Sequence, residues 1–192
     1  MHRRVHGAGK IFPAILSSSN GKIFLMELFS ERLVYKRITP ADLQVYLVMA
    51  TNGDVMKYIT GKALSIKEAQ LRLKSMTDIN DQSTDTGFYM IYQRNKNKFI
   101  GLGKLVFLED DVAEIGYSLL PEYWGKKYAT EIAGCFINHA MTIPYIKGLV
   151  ALVNPENIAS KKLLAAYGFT WSETGFLNEL PTEIHKLRLQ KS

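Results

Sequence analysis

The chain has 192 residues, of which 47% are apolar and 22% charged, so it can bury one sizeable domain and is short for two. One cysteine, Cys135, excludes an internal disulfide, and no apolar run reaches the roughly 18–20 residues of a membrane helix. Four of the six net positive charges fall in residues 1–25, which leaves the rest of the chain close to balanced and gives no reason to expect a nucleic-acid partner.

Residues 1–25 mix glycine, serine and basic side chains around a short apolar piece, IFPAIL, that Pro13 interrupts. A secretory signal needs an apolar core of about 7–15 residues and a small-residue cleavage site, and neither is present. GAGK at 7–10 lacks the spacing of a P-loop. Met26 directly precedes the first well-patterned segment, so 1–25 reads as a disordered or adventitious basic tail and 26–192 as the domain. Without a signal, a membrane helix or a disulfide, a cytoplasmic location is expected.

From Glu31 the pattern is regular. Leu33, Tyr35 and Arg37 alternate with Arg32, Val34 and Lys36, which predicts a strand. Thr39-Pro40 opens a helix through about residue 50, with proline at the first helical position. Ser65 and Glu68 form a capping-box pattern at the head of a second helix. Segments 88–94, 99–108 and 112–120 read as a meander joined at RNKNK and EDD. A long helix is expected from about Tyr123 to Met141, because Tyr128, Ile132, Phe136 and Ala140 recur along one stripe. The continuous apolar run 146–153 predicts a strand buried on both faces. A helix from Asn157 to Tyr167 should end at Gly168, and strands near 169–177 and 183–190 complete the chain. The expectation is a single α/β (α+β) domain, a mixed sheet of about seven strands flanked by about four helices.

The segment PEYWGKKYAT, 121–130, leads from a strand into that long helix. The first N–H groups of a helix have no internal acceptor and its dipole is positive there, so an anion fits. Gly125 lets the backbone come close to a ligand, Lys126 and Lys127 add charge, and Ala129 is small. The plain alternative is an ordinary helix start with two solvated lysines.

In this segment and two others the sequence resembles the GNAT N-acetyltransferase family, and most of all its ribosomal-protein N-terminal acetyltransferase branch. The family's coenzyme A loop follows Q/R-x-x-G-x-G/A, commonly W-G-K-G-Y-A-T-E in that branch. Here it reads Trp124-Gly125-Lys126-Lys127-Tyr128-Ala129-Thr130-Glu131, with Lys127 in a glycine position. Glu114-Ile115-Gly116-Tyr117-Ser118 matches upstream, and Asn157-Ile158-Ala159-Ser160 through Gly168-Phe169 matches downstream. The resemblance covers about residues 30–190. It implies acetyl-CoA as cosubstrate and no metal. Main-chain groups near Leu119 and Leu120 would pair with the pantetheine arm. N–H groups of Gly125, Lys126, Lys127, Tyr128, Ala129 and Thr130 would hold the pyrophosphate, and Asn157 would face the pantetheine.

The implied reaction is direct acetyl transfer to a primary amine, a protein N-terminus or a small molecule, in a ternary complex. Glu114 is the candidate base, on the strand face shared with Val112, Gly116 and Ser118; the plain alternative is a solvated glutamate. Ser160 is the candidate acid, because Leu164 stands where many family members carry a tyrosine; the alternative is a first-turn serine serving the helix end. Asn157 also suits a helix N-cap. Tyr167 reads as core packing, and His139 and His185 stand alone without metal-ligand spacing, His185 being a reserve base. Cys135 reads as buried and inert. Asp78, Asp81 and Asp85 read as a solvated loop, with attraction of a cationic substrate as the alternative. A catalytically silent coenzyme A-binding or regulatory module is the competing function, and a monomer or homodimer is expected.

Overall fold

A computed structural model describes residues 27–191, so the tail read over 1–25 lies outside the described residues. Strands β1 (Leu28–Phe29) and β2 (Leu33–Arg37) precede helices α1 (Leu43–Ala50), α2 (Gly53–Met56) and α3 (Ile66–Asp81). The meander β3 (Gly87–Gln93), β4 (Phe99–Phe107) and β5 (Val112–Leu119) leads to α4 (Tyr128–Thr142). Then come β6 (Gly148–Val153), α5 (Ile158–Ala166) and a hairpin of β7 (Thr170–Leu177) and β8 (Leu180–Arg188). The strands form one sheet in the order β1-β2-β3-β4-β5-β6-β8-β7. Every neighbouring pair is antiparallel except β5 with β6. A parallel pair needs a crossover, and α4 supplies it.

The sheet is covered on both faces. Phe136 and Ile132 of α4 pack with Tyr35, Tyr89, Ile91, Leu105 and Ile115, and Leu164 of α5 joins the same core. Gly103 of β4 makes room for the Phe136 ring, which a Cβ there would meet at 2.6 Å. On the opposite face, Tyr46 and Ala50 of α1 pack with Ala69, Leu73 and Met76 of α3 over Met90. Ser65 caps α3 as its pattern predicts, its hydroxyl accepting from the Glu68 N–H while the Glu68 carboxylate accepts from the Ser65 N–H.

The mixed single domain is as expected, with eight strands among the described residues against about seven and five α-helices against about four. The additions, β1 and α2, are only two and four residues long and too short for a period to show. The run 146–153 does not make a strand buried on both faces; β6 alternates, with Leu149, Ala151 and Val153 buried and the residues between them half-exposed. β3 is the doubly covered strand, with Tyr89 and Ile91 in one core and Met90 in the other. The final strand begins at Leu180 rather than 183, because Asn178 and Glu179 both take positive φ and close a two-residue hairpin. The long helix begins at Tyr128 rather than 123. Pro121–Tyr123 form only a 3-10 turn, and Gly125 and Lys127 adopt left-handed φ of 72° and 62°.

His139, near the end of α4, is buried, and its Nε2–H donates to the Asp85 carbonyl at 2.8 Å. Burial pushes its pKa below the ordinary 6.5, against a smaller opposing pull from Asp85. Below 6.5 the unfolded chain therefore binds more protons than the folded one, and stability falls as pH drops. His139→Gln, which keeps a donor and cannot titrate, should flatten the decline in Tm between about pH 7 and pH 5 measured by calorimetry. Equal slopes in the two proteins would contradict this.

Candidate functional site

β5 and β6 stay paired for only three positions, Val112 with Gly148, Ala113 with Leu149 and Glu114 with Val150. β5 then continues to Leu119 held only by β4, while β6 continues to Val153 held by β8. The strands part, and a cleft of about 340 Å³ opens between them. Its lining divides by strand alternation. Ile115 and Tyr117 belong to the α4–α5 side. Glu114, Gly116 and Ser118 look towards the α1–α3 side, where Tyr58, Ile59, Arg72 and Lys104 also line it.

The same alternation sorts the main chain. The Leu120 N–H points back to β4 and donates to the Ile100 carbonyl. Tyr117 and Leu119 therefore turn their N–H and C=O groups to the open side. The Leu119 carbonyl accepts from the Trp124 indole N–H at 2.8 Å, and this bond ties the following loop to the strand end.

That loop delivers the α4 N-terminus. The first α-helical bond runs from the Glu131 N–H to the Lys127 carbonyl, so the N–H groups of Tyr128, Ala129 and Thr130 precede it. Gly125, Lys126 and Lys127 are exposed, and so is Thr130. The Lys126 ammonium bonds the Glu122 carbonyl. Tyr128 turns inward: its hydroxyl accepts from Gln93, and Arg32 stacks over its ring at 4.3 Å. Gly125 owes its identity to its φ rather than to crowding, since nothing lies within 4 Å of a Cβ built there.

Glu131 holds this loop in place. Its carboxylate accepts from the Ser30 hydroxyl, the Arg32 N–H and the Arg32 Nε–H, at 2.6–2.7 Å. Arg32 also donates to the Lys126 carbonyl. The segment before β2 thus straps the α4 entrance, and it neutralises the one carboxylate in the first helical turn.

Across the cleft, Asn157 caps α5 by accepting from the Ser160 N–H at 3.1 Å. Its amide nitrogen has no partner among the described residues, and Asn157 lines the cleft. Ser160 lines it too, and its oxygen accepts from the Tyr117 hydroxyl at 3.2 Å. Burial raises the Tyr117 pKa, and the bond to Ser160 opposes that rise. Glu114 is ion-paired with Lys104. The Lys104 stem lies across Gly116, where a Cβ would meet Lys104 Cε at 2.8 Å.

Other candidates lie elsewhere. His185 is not isolated: it is buried against Glu183, which also pairs with Lys161 at 2.7 Å, joining β8 to α5. The Lys161 and His185 contacts lower the Glu183 pKa. The Tyr167 hydroxyl donates to the Thr130 carbonyl, so it braces α5 against the α4 entrance. Asp78, Asp81 and Asp85 do not line the cleft; Asp78 pairs with Lys74 and Asp85 bonds Tyr145. Burial drives the Cys135 thiol up to about 12, so it is a poor nucleophile. Among the described residues no group of three or more His, Cys, Asp and Glu could hold a metal ion, and no helix is long and apolar enough to cross a membrane.

The comparisons with known proteins agree on one family. The family model for the acetyltransferase (GNAT) domain matches residues 32–170. The chain belongs to the GNAT acetyltransferase family. The uncharacterized N-acetyltransferase p20 of Bacillus licheniformis is 26% identical over 144 residues, 74% of this chain and 81% of that protein. YoaA of Bacillus subtilis, also an uncharacterized N-acetyltransferase, is 25% identical over 145 residues, with the same coverage of both chains. Among solved structures, an acetyltransferase from Agrobacterium tumefaciens shares the fold with TM-score 0.73 and 18% identity, covering 90% of this chain and 100% of that one. RimL, a ribosomal L7/L12 α-N-protein acetyltransferase solved with coenzyme A, has TM-score 0.71 and 15% identity, covering 83% and 96%.

Sequence reasoning missed Tyr117, Lys104 and Arg72. Tyr117 sits inside the matched motif, but its partner Ser160 is 43 residues away, and no spacing announces that bond. Lys127 departs from the family's glycine, and its left-handed backbone carries a cost of about 1–2 kcal/mol for a non-glycine residue. Lys127→Gly removes that strain and gives back part of the gain through a freer unfolded chain. The expected net effect is a Tm increase of roughly 1–3 °C by calorimetry. A fall in Tm would mean that the Lys127 side chain holds the loop.

Proposed function

We propose that this protein transfers the acetyl group of acetyl-CoA to a primary amine directly, with both substrates bound at once. The observation that carries this reading is the parting of β5 from β6 after Glu114, opposite the uncapped N-terminus of α4. The main-chain N–H and C=O of Tyr117 and the N–H of Leu119 suit the amide-bearing pantetheine arm, and Asn157 lines the same gap. The N–H groups at 125–130, with Lys126 and Lys127, suit a pyrophosphate. The likeness to RimL, which was solved with coenzyme A, adds support.

Acetyl-CoA supplies a thioester carbonyl for the amine to attack and a sulfur that leaves as the thiol. A C–N bond forms as the C–S bond breaks; the nitrogen loses one proton and the sulfur gains one. Glu114 takes the amine proton, directly or through water, and Lys104 holds its carboxylate at the cleft wall. Tyr117 and Ser160 hold the proton for the sulfur. A serine hydroxyl alone is a very weak acid; a tyrosine behind it is much closer in acidity to a thiol. The acceptor is a small amine or a protein N-terminus.

A silent coenzyme A-binding module is the second reading, and the specific observation on its side is that Glu114 is already paired with Lys104. Release of free coenzyme A with a panel of amino acids, polyamines, aminoglycosides and N-terminal peptides separates the two. Saturable acetyl-CoA binding without release supports the silent module; no binding removes both. Glu114→Gln should lower kcat while leaving acetyl-CoA affinity unchanged. Tyr117→Phe and Ser160→Ala should each reduce kcat about 10- to 100-fold, and the double variant little further, because the pair acts as one unit. Multiplicative losses would show that they act separately.

A further inference from the structure

Three charged side chains line the cleft: Arg72, Lys104 and Glu114. Lys104 and Glu114 neutralise each other. Arg72, from the middle of α3, pairs with no carboxylate among the described residues. Beside it lies the hydroxyl of Tyr46, on α1. Tyr46 is 3% exposed, and among the described residues Arg72 is the polar side chain set against its hydroxyl. Burial raises the Tyr46 pKa, and the charge and hydrogen bond of the neighbouring Arg72 offset part of that rise. Arg72 thus reaches the cleft as a guanidinium steadied by a tyrosine hydroxyl and matched by no carboxylate.

The position of Arg72 decides which substrate would supply a carboxylate. The α4 entrance and Asn157 lie on the α4–α5 side of the split sheet, where the cofactor's phosphates and arm are assigned. Arg72 comes from α3, on the opposite side, with Tyr58 and Ile59 from the preceding helix connection. Arg72 and Glu114 line the same cleft, so an amine that reaches the thioester from this side meets both. A purely cationic acceptor, such as a polyamine, would meet an uncompensated positive charge here. Asp78, Asp81 and Asp85, which would be needed to offset it, lie outside the cleft.

We infer that the acceptor is a small amine that also bears a carboxylate, held by the Arg72 guanidinium on the α3 wall of the cleft. The inference rests on the acetyl-transfer reading for the amine. The carboxylate subsite itself follows from Arg72 alone. A planar carboxylate matches the guanidinium fork with two parallel N–H···O bonds, which fix orientation as well as charge. The carboxylate then acts as the anchor that turns the amine towards the Glu114 side of the cleft.

Two measurements test this. In the first, coenzyme A release is followed with free amino acids, with their amides and with spermidine. The wild type should prefer the carboxylates over the matching amides by about 10- to 100-fold in kcat/KM, with the preference lost in Arg72→Gln and partly kept in Arg72→Lys. In the second, succinate and neutral succinamide are compared by thermal shift at constant ionic strength. Succinate should stabilise the wild type and not Arg72→Gln, succinamide should stabilise neither, and both proteins should respond equally to acetyl-CoA. Should Arg72→Gln fail to fold, Arg72→Lys, which keeps the charge and loses the planar fork, should keep only part of the succinate shift. Amine turnover without carboxylate preference, or a succinate shift indifferent to substitution of Arg72, would overturn the inference while leaving acetyl transfer standing. A succinate shift that depends on Arg72, with no amine acetylated, would uphold the carboxylate subsite and remove the acetyl-transfer reading.

Discussion

A strand that loses its neighbour in the middle of a sheet leaves N–H and C=O groups facing nothing. This normally happens at the edge of a sheet, where water takes over. Here it happens at the centre, where β5 leaves β6 after Glu114 while both strands continue. The arrangement stands because each strand is anchored on its other side, β5 by β4 and β6 by β8. The gap is therefore a built feature of the sheet. An extended molecule with amide groups can complete the ladder there, as an added strand would.

The rest of the molecule is organised around that gap. The crossover that a parallel pair requires brings the α4 N-terminus to one end of it. The Trp124 indole fixes the loop to the strand end, and Glu131 straps it to Ser30 and Arg32. The Glu131–Arg32 pair deserves its place on electrostatic grounds as well. A bare carboxylate in the first turn would compete with an incoming anion for the helix dipole. Paired with Arg32 it stabilises the helix start without presenting net negative charge. The left-handed Lys127 shows the same priority, since local strain is tolerated where the loop must turn sharply into the helix.

Much of the fold was legible in the sequence because it depends on periods that survive in one dimension. The stripe Tyr128, Ile132, Phe136 and Ala140 is buried as its spacing requires. The Ser65–Glu68 cap and the Gly168 stop of α5 are local chemistry and appear where they were read. Burial on both faces falls on β3 rather than on 146–153, because an apolar run looks the same whether its second face meets a helix or a cleft. The start of α4 at Tyr128 is hidden in the sequence because Gly125 announces a left-handed turn and Lys127 does not. Glu114, Ser160 and Asn157 all line the cleft. The groups that qualify them, Lys104 on Glu114 and Tyr117 on Ser160, come from pairing and packing between elements. Arg72 was invisible for a similar reason: arginine is an ordinary helix former, and only the shared cleft gives it meaning.

The central claim is that the β5 edge beyond Glu114 and the α4 entrance form one cofactor site. Amide hydrogen exchange with and without acetyl-CoA tests it most directly, because the claim concerns main-chain N–H groups. Acetyl-CoA should slow exchange at Tyr117 and Leu119 and across 125–130, and leave β2, β3 and the β7–β8 hairpin unchanged. Protection confined to other segments, or no protection at saturating acetyl-CoA, would contradict it.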